Sequence, residues 1–97
     1  MSNSVLTGDE LSNAMSGLDG WAVSDDEKAI SKTFNFTDFK SAFSFMTHAA
    51  MYAETDDHHP EWFNVYNRVD VKLTTHDAGG ITKLDMKLAA AMDSAAS

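Results

Sequence analysis

A cysteine-free chain of 97 residues has room for one domain and none for a disulfide framework, a zinc ribbon or a thiol nucleophile. Seven basic residues face fifteen acidic ones, and the formal charge of -8 repels nucleic-acid phosphates and anionic membrane surfaces while touching a neutral small molecule only weakly. No run approaches the ~18 apolar residues of a membrane span, and Met1 to Glu10 lacks the basic and apolar regions of a signal peptide. The expected setting is therefore the reducing cytoplasm, and the sequon at Asn35-Phe36-Thr37 reads as chance.

In chain order, Thr7 to Leu18 reads as a short helix, with Thr7 and Glu10 as its capping box and Leu11, Met15 and Leu18 as its apolar stripe. Gly17 and Gly20 bracket its end. Trp21 to Val23 and Lys28 to Phe36 read as a hairpin around the polar turn Ser24-Asp25-Asp26-Glu27. Ile30, Phe34 and Phe36 share one face of it, and Lys32 interrupts that face. Thr37 to about Glu54 is the strongest helix pattern. Phe39, Ala42, Phe43, Met46, Ala49, Ala50 and Ala53 form its expected buried stripe. A second set, Phe45, His48 and Tyr52, lies on another face and suits either peripheral packing or a subunit interface.

Trp62 to Tyr66 and Arg68 to Thr75 read as antiparallel strands turning at Asn67. Phe63 and Val65 share a face, as do Val69, Val71 and Leu73, while Asp70, Lys72 and Thr74 point to a wet or polar side. Asp77-Ala78-Gly79-Gly80 breaks the strand, and Thr82 with Asp85 opens a last helix. The order α-β-β-α-β-β-α predicts one α+β domain over 1–97, with an ordered core from about 5 to 95: a two-layer sandwich of a four-stranded antiparallel sheet with its helices on one face.

Three of the four histidines, His58, His59 and His76, gather in the loop before one strand and at the end of the next. Imidazole exchanges protons near neutrality, so a reaction needing both an acid and a base suits such a set. Glu54, Asp57 and Asp85 are the carboxylates able to fix an imidazole tautomer, and Glu54 stands four residues before His58. Each residue also has a plainer reading. His58, His59 and His76 fit an exposed loop and strand end, Asp85 fits a helix cap, His48 a surface or interface position, and Trp21 and Trp62 the core. The spacing does not match the zinc patterns, which leaves a metal site as a rival only where the trio converges in space, and no nucleophile elbow, dinucleotide fingerprint or phosphate loop is present.

The segment from Glu54 to Asp85 resembles the pterin-4a-carbinolamine dehydratases, also called 4a-hydroxytetrahydrobiopterin dehydratases. The matching residues are Glu54, His58-His59-Pro60, Tyr66, His76 and Asp85, with intervals of three, five, nine and eight residues. Glu61-Trp62-Phe63-Asn64-Val65-Tyr66-Asn67, Thr75-His76-Asp77-Ala78-Gly79-Gly80, Gly20-Trp21 and Phe34-Asn35-Phe36-Thr37-Asp38-Phe39 also look like the family, so the resemblance spans about residues 11 to 90.

The resemblance implies an enzyme that expels water from the 4a-hydroxy adduct left by aromatic amino-acid hydroxylases. It implies no metal and no cofactor, the pterin being substrate. His58 and His76 are then the expected acid/base pair and His59 the residue orienting the pterin. Glu54, Asp57, Pro60, Trp62, Trp21, Thr75 and Asp85 are expected to bind or orient, with Trp21 and Trp62 bordering the cleft. The implied assembly is a homodimer or homotetramer built on the stripe of Phe45, His48 and Tyr52, with an aromatic amino-acid hydroxylase as a functional partner. Animal members also serve as dimerisation cofactors for a homeodomain transcription factor, which sets an interaction role beside the catalytic one.

Overall fold

The computed structural model describes residues 4–97; Met1, Ser2 and Asn3, which the expected domain range and leader reading include, lie outside the described residues. Its elements run α1 (Gly8–Met15), β1 (Ala22–Val23), β2 (Ile30–Asn35), α2 (Phe39–Thr55), β3 (Glu61–Val65), β4 (Arg68–Leu73) and α3 (Lys83–Ala96). The strands form one antiparallel sheet in the order β1-β2-β4-β3, as the α+β reading expects. Among the described residues no helix is long and apolar enough to cross a membrane.

Strand alternation decides the layers. Ile30 and Phe34 of β2, with Val69, Val71 and Leu73 of β4, turn one way and are buried with Ala42, Ala49 and Ala53 of α2 and Leu88, Ala89 and Met92 of α3. Opposite positions pair Ser31 with Lys72, Thr33 with Asp70 and Glu61 with Lys72 on the open side. That face is wet, as Asp70 and Lys72 lead one to expect. Phe63 pairs with Asp70 and Val65 with Arg68, so those two apolar side chains share the open face and are largely exposed.

Lys32 tolerates its place on the inner face because its ammonium reaches the rim. There it meets the Asp19 carbonyl and Asp93, both at 2.8 Å, and passes 4.8 Å from the Phe34 ring centroid. Trp21 is buried beside it, edge-on to Phe34, with its indole N–H donated to Asp93.

Two sequence expectations about the helices need correcting. Thr7 makes no side-chain cap on α1; Gly8 follows with φ 53°, and Glu10 N–H bonds the Thr7 carbonyl instead. On α2 the buried stripe is Ala42, Phe45, Ala49 and Ala53, whereas Phe39 and Phe43 are about half exposed (49% and 54%). Both stripes satisfy 3–4 spacing. Three alanines let the helix lie close to its neighbours, and Phe45 fills the remaining space against Phe34 and Phe36, at 4.7 and 5.1 Å. Phe45 therefore belongs to the core, not to an outer interface stripe.

The end of α2 aims the histidines. Asp38 caps its start by accepting from Ser41 N–H at 2.8 Å. At its other end Asp57 takes a left-handed conformation, φ 50°, while Asp57 N–H bonds the Glu54 carbonyl and His58 N–H bonds that of Ala53. This is a Schellman termination with aspartate in the position glycine usually fills. It stops the helix and swings His58 and His59 across the end of β4.

Candidate active site

His58, His59 and His76 line one cleft of about 760 Å³ between the α2–β3 loop, the turn after β4 and the start of α3, together with Asp57, Thr75 and Leu84. The volume lies within the ~300–1,000 Å³ range of small-molecule sites. A second concavity of about 630 Å³ lies over the open sheet face and holds none of the histidines.

Each imidazole meets its own carboxylate, and each does so through Nε2. His58 contacts Asp85 Oδ1 at 2.6 Å, His59 contacts Glu54 Oε1 at 2.9 Å, and His76 contacts Glu61 Oε2 at 3.0 Å. Burial differs sharply among them. Asp85 is fully buried and His58 nearly so (8% exposed), whereas the side chains of the other two pairs are about half exposed or more.

The buried pair is the most tightly built. The second Asp85 oxygen accepts from Thr75 Oγ1 at 2.8 Å and from Thr82 N–H at 2.9 Å, and the Thr75 and Thr82 hydroxyls lie 2.8 Å apart. Asp85 thus closes the capping box of α3, as the sequence predicts, and holds His58 as well. An ionised carboxylate is an acceptor only, so opposite ionised Asp85 His58 Nε2 donates and neutral His58 keeps its lone pair on Nδ1. Among the described residues no buried side-chain nitrogen or oxygen lacks a partner, and Nδ1 has none in the protein, so Nδ1 reaches the cleft.

Several predicted site residues move in role or place. Glu54 faces His59 rather than His58, because the Schellman turn ends the helical repeat before position 58. Pro60 separates the histidine pair from β3. Trp62 packs against the core from the inner face of β3, and Trp21 is held by Phe34 and Asp93; neither is among the residues lining the histidine cleft. Tyr66, the aromatic of the spacing pattern, stands at the β3–β4 turn with φ 48° and is exposed, away from the cleft. Among the described residues no three His, Cys, Asp or Glu side chains come together as a metal-ligand set.

Glu61 is the partner of His76 that motif spacing alone does not single out; it lines the cavity on the other side of that ring, not the histidine cleft itself. The signal for it was register: counting back from the Asn67 turn sets Glu61 opposite Lys72, next to the end of β4 and therefore near His76.

Residues 4–95 match the family model for pterin 4 alpha carbinolamine dehydratase. A Rhizobium leguminosarum bv. trifolii protein, provisionally named a pterin-4-alpha-carbinolamine dehydratase, is 65% identical over 82 residues, 84% of this chain and 81% of that protein. A Brucella ovis protein of the same provisional name is 52% identical over 96 residues, 99% of both. A solved Brucella melitensis structure described as a transcriptional coactivator/pterin dehydratase superposes with a TM-score of 0.94 at 52% identity, covering 97% of this chain and all of that one. The chain belongs to the pterin 4 alpha carbinolamine dehydratase family.

Proposed function

We propose that this protein dehydrates 4a-hydroxytetrahydrobiopterin, or a pterin carbinolamine of the same ring chemistry, to the quinonoid dihydropterin by histidine general acid–base catalysis. The observation that carries the reading is the cleft with three imidazoles, each bonded through Nε2 to a separate carboxylate. In the reaction the bond from C4a to oxygen breaks and the hydroxyl leaves as water with a proton from the acid. A ring N–H yields its proton to the base, and its electron pair becomes the new double bond. Nothing is oxidised or reduced, and no cofactor or metal enters the scheme.

His58 and His76 serve as the acid/base pair and His59 orients the ring. His58, with its tautomer fixed by the buried Asp85, suits the base. An acid and a base so placed each supply about 10²–10⁴-fold. Such an enzyme would return pterin to the pool used by an aromatic amino-acid hydroxylase. The test is stopped-flow dehydration of the carbinolamine: wild type accelerates it over the spontaneous rate, and His58→Ala loses at least about tenfold in kcat. A His58→Ala variant with wild-type turnover overturns the assignment.

A second reading concerns assembly. Phe39 and Phe43, with rings 5.7 Å apart, and Tyr52, whose ring lies 5.3 Å from His48, are exposed on α2 with Met51. These exposed side chains, on the two flanks of the helix either side of its buried stripe, suit a second copy of the chain, giving a homodimer or homotetramer, or a protein partner in a coactivator-type role. Sedimentation of Phe43→Glu against wild type tests it, since a stable wild-type monomer at micromolar concentration excludes self-association.

A further inference from the structure

We propose that Glu61 is a positioning residue of the active site, holding His76 in one tautomer and orientation with Nδ1 free for the substrate. The inference rests on the dehydratase reading. The His76 side chain is 77% exposed, so packing does not fix its ring; the bond from Nε2 to Glu61 Oε2 at 3.0 Å does. Its backbone is firm by contrast, because Thr75 and Gly80 exchange hydrogen bonds at 2.9 and 3.3 Å across the turn. Glu61 is equally well anchored. It begins β3, and its backbone is registered against Lys72 of β4.

Other charged groups surround His76. Asp77 follows it in the chain. Asp25, Asp26 and Lys28 of the β1–β2 turn and Lys72 of β4 line the cavity on one side of the ring, and Asp57 and His59 line the cleft on the other. Among the described residues Glu61 is the one hydrogen-bonded to the imidazole.

An exposed pair of this kind contributes little in open water. A bound pterin ring displaces water from the cleft and strengthens the same contact when the proton moves. The effect therefore falls on kcat more than on KM. The pattern matches the other two pairs: Asp85 and Glu54 hold Nε2 of His58 and His59, and Glu61 completes the set.

The experiment compares wild type, Glu61→Ala and Glu61→Gln by carbinolamine dehydration and by ¹⁵N spectra of the histidine rings. Glu61→Ala is expected to lower kcat about three- to tenfold with KM within about twofold, and to mix the tautomers of the neutral His76 ring. Glu61→Gln, whose amide oxygen still accepts, recovers at least about half of the loss and restores a single tautomer. An unchanged His76 tautomer in Glu61→Ala, or kcat within about 1.5-fold of wild type, overturns the proposal. The ring spectra need no turnover, so a wild type without dehydratase activity removes the functional reading while the tautomer comparison still decides the role of Glu61.

Discussion

Asp85→Asn probes the most deeply built part of the site. The amide can keep its oxygen toward Thr75 Oγ1 and Thr82 N–H, which leaves its NH₂ facing His58 Nε2. His58 must then accept at Nε2 and carry its proton on Nδ1, the nitrogen that reaches the cleft. The proposed base is lost while the fold is kept. Replacing an ionised acceptor by a neutral one weakens three hydrogen bonds, offset in part by removal of a buried charge, for a net cost of about 1–3 kcal/mol. For a chain of this length that lowers Tm by roughly 5–20 °C, and a domain of ~5–15 kcal/mol stays folded at 25 °C. Loss of the correct tautomer is expected to reduce kcat about 10²–10⁴-fold. Stopped-flow dehydration beside thermal unfolding by circular dichroism reads both. A variant with kcat within about threefold of wild type and an unshifted Tm would refute the coupling of His58 to Asp85.

Other outcomes follow from the same contacts. Asp57→Gly is expected to change stability by less than about 1 kcal/mol, since glycine suits φ 50° but costs unfolded-state entropy, while Asp57→Val loses about 1–2 kcal/mol; urea denaturation separates them. Asp93→Ala strips the acceptor from Trp21 Nε1 and the partner from Lys32, and is expected to cost about 1–3 kcal/mol without changing kcat. The Asp38 carboxyl is held below its ordinary value first by the Ser41 backbone N–H, so its folded pKa is depressed. Its contribution is present above the unfolded carboxylate range and disappears as pH falls through the folded value. Asp38→Asn, which preserves the cap, should therefore flatten that part of the acid-side loss of stability in denaturant titrations below about pH 4.

Much of this architecture could be read from the chain. The turn at Asn67, the break at Asp77 to Gly80 and the cap at Thr82 with Asp85 each have local causes, and local causes survive into the fold. The α2 faces were harder, because two apolar stripes share the helical period and only the opposing surface, Phe34 and Phe36, selects Phe45 for burial. The histidine trio was legible from spacing, and Glu54 and Asp85 were expected to hold imidazoles, but which carboxylate meets which histidine was not legible. Glu54 meets His59 because a left-handed Asp57 ends the helix early, a backbone choice that aspartate signals weakly. Glu61 needed strand register to place it beside His76. Trp21 looked like a cleft wall and is instead a core side chain tied to Asp93, a contact 72 residues away in sequence.

The central claim is that these imidazoles carry the proton transfers of a dehydration, and the most direct measurement is the stopped-flow dehydration of 4a-hydroxytetrahydropterin by wild type and by His76→Ala. A wild type that accelerates the reaction, with kcat lower by at least about tenfold in the variant and an unchanged fold, is the predicted result. Equal turnover by the two proteins, or a wild type no faster than the uncatalysed reaction, would contradict it.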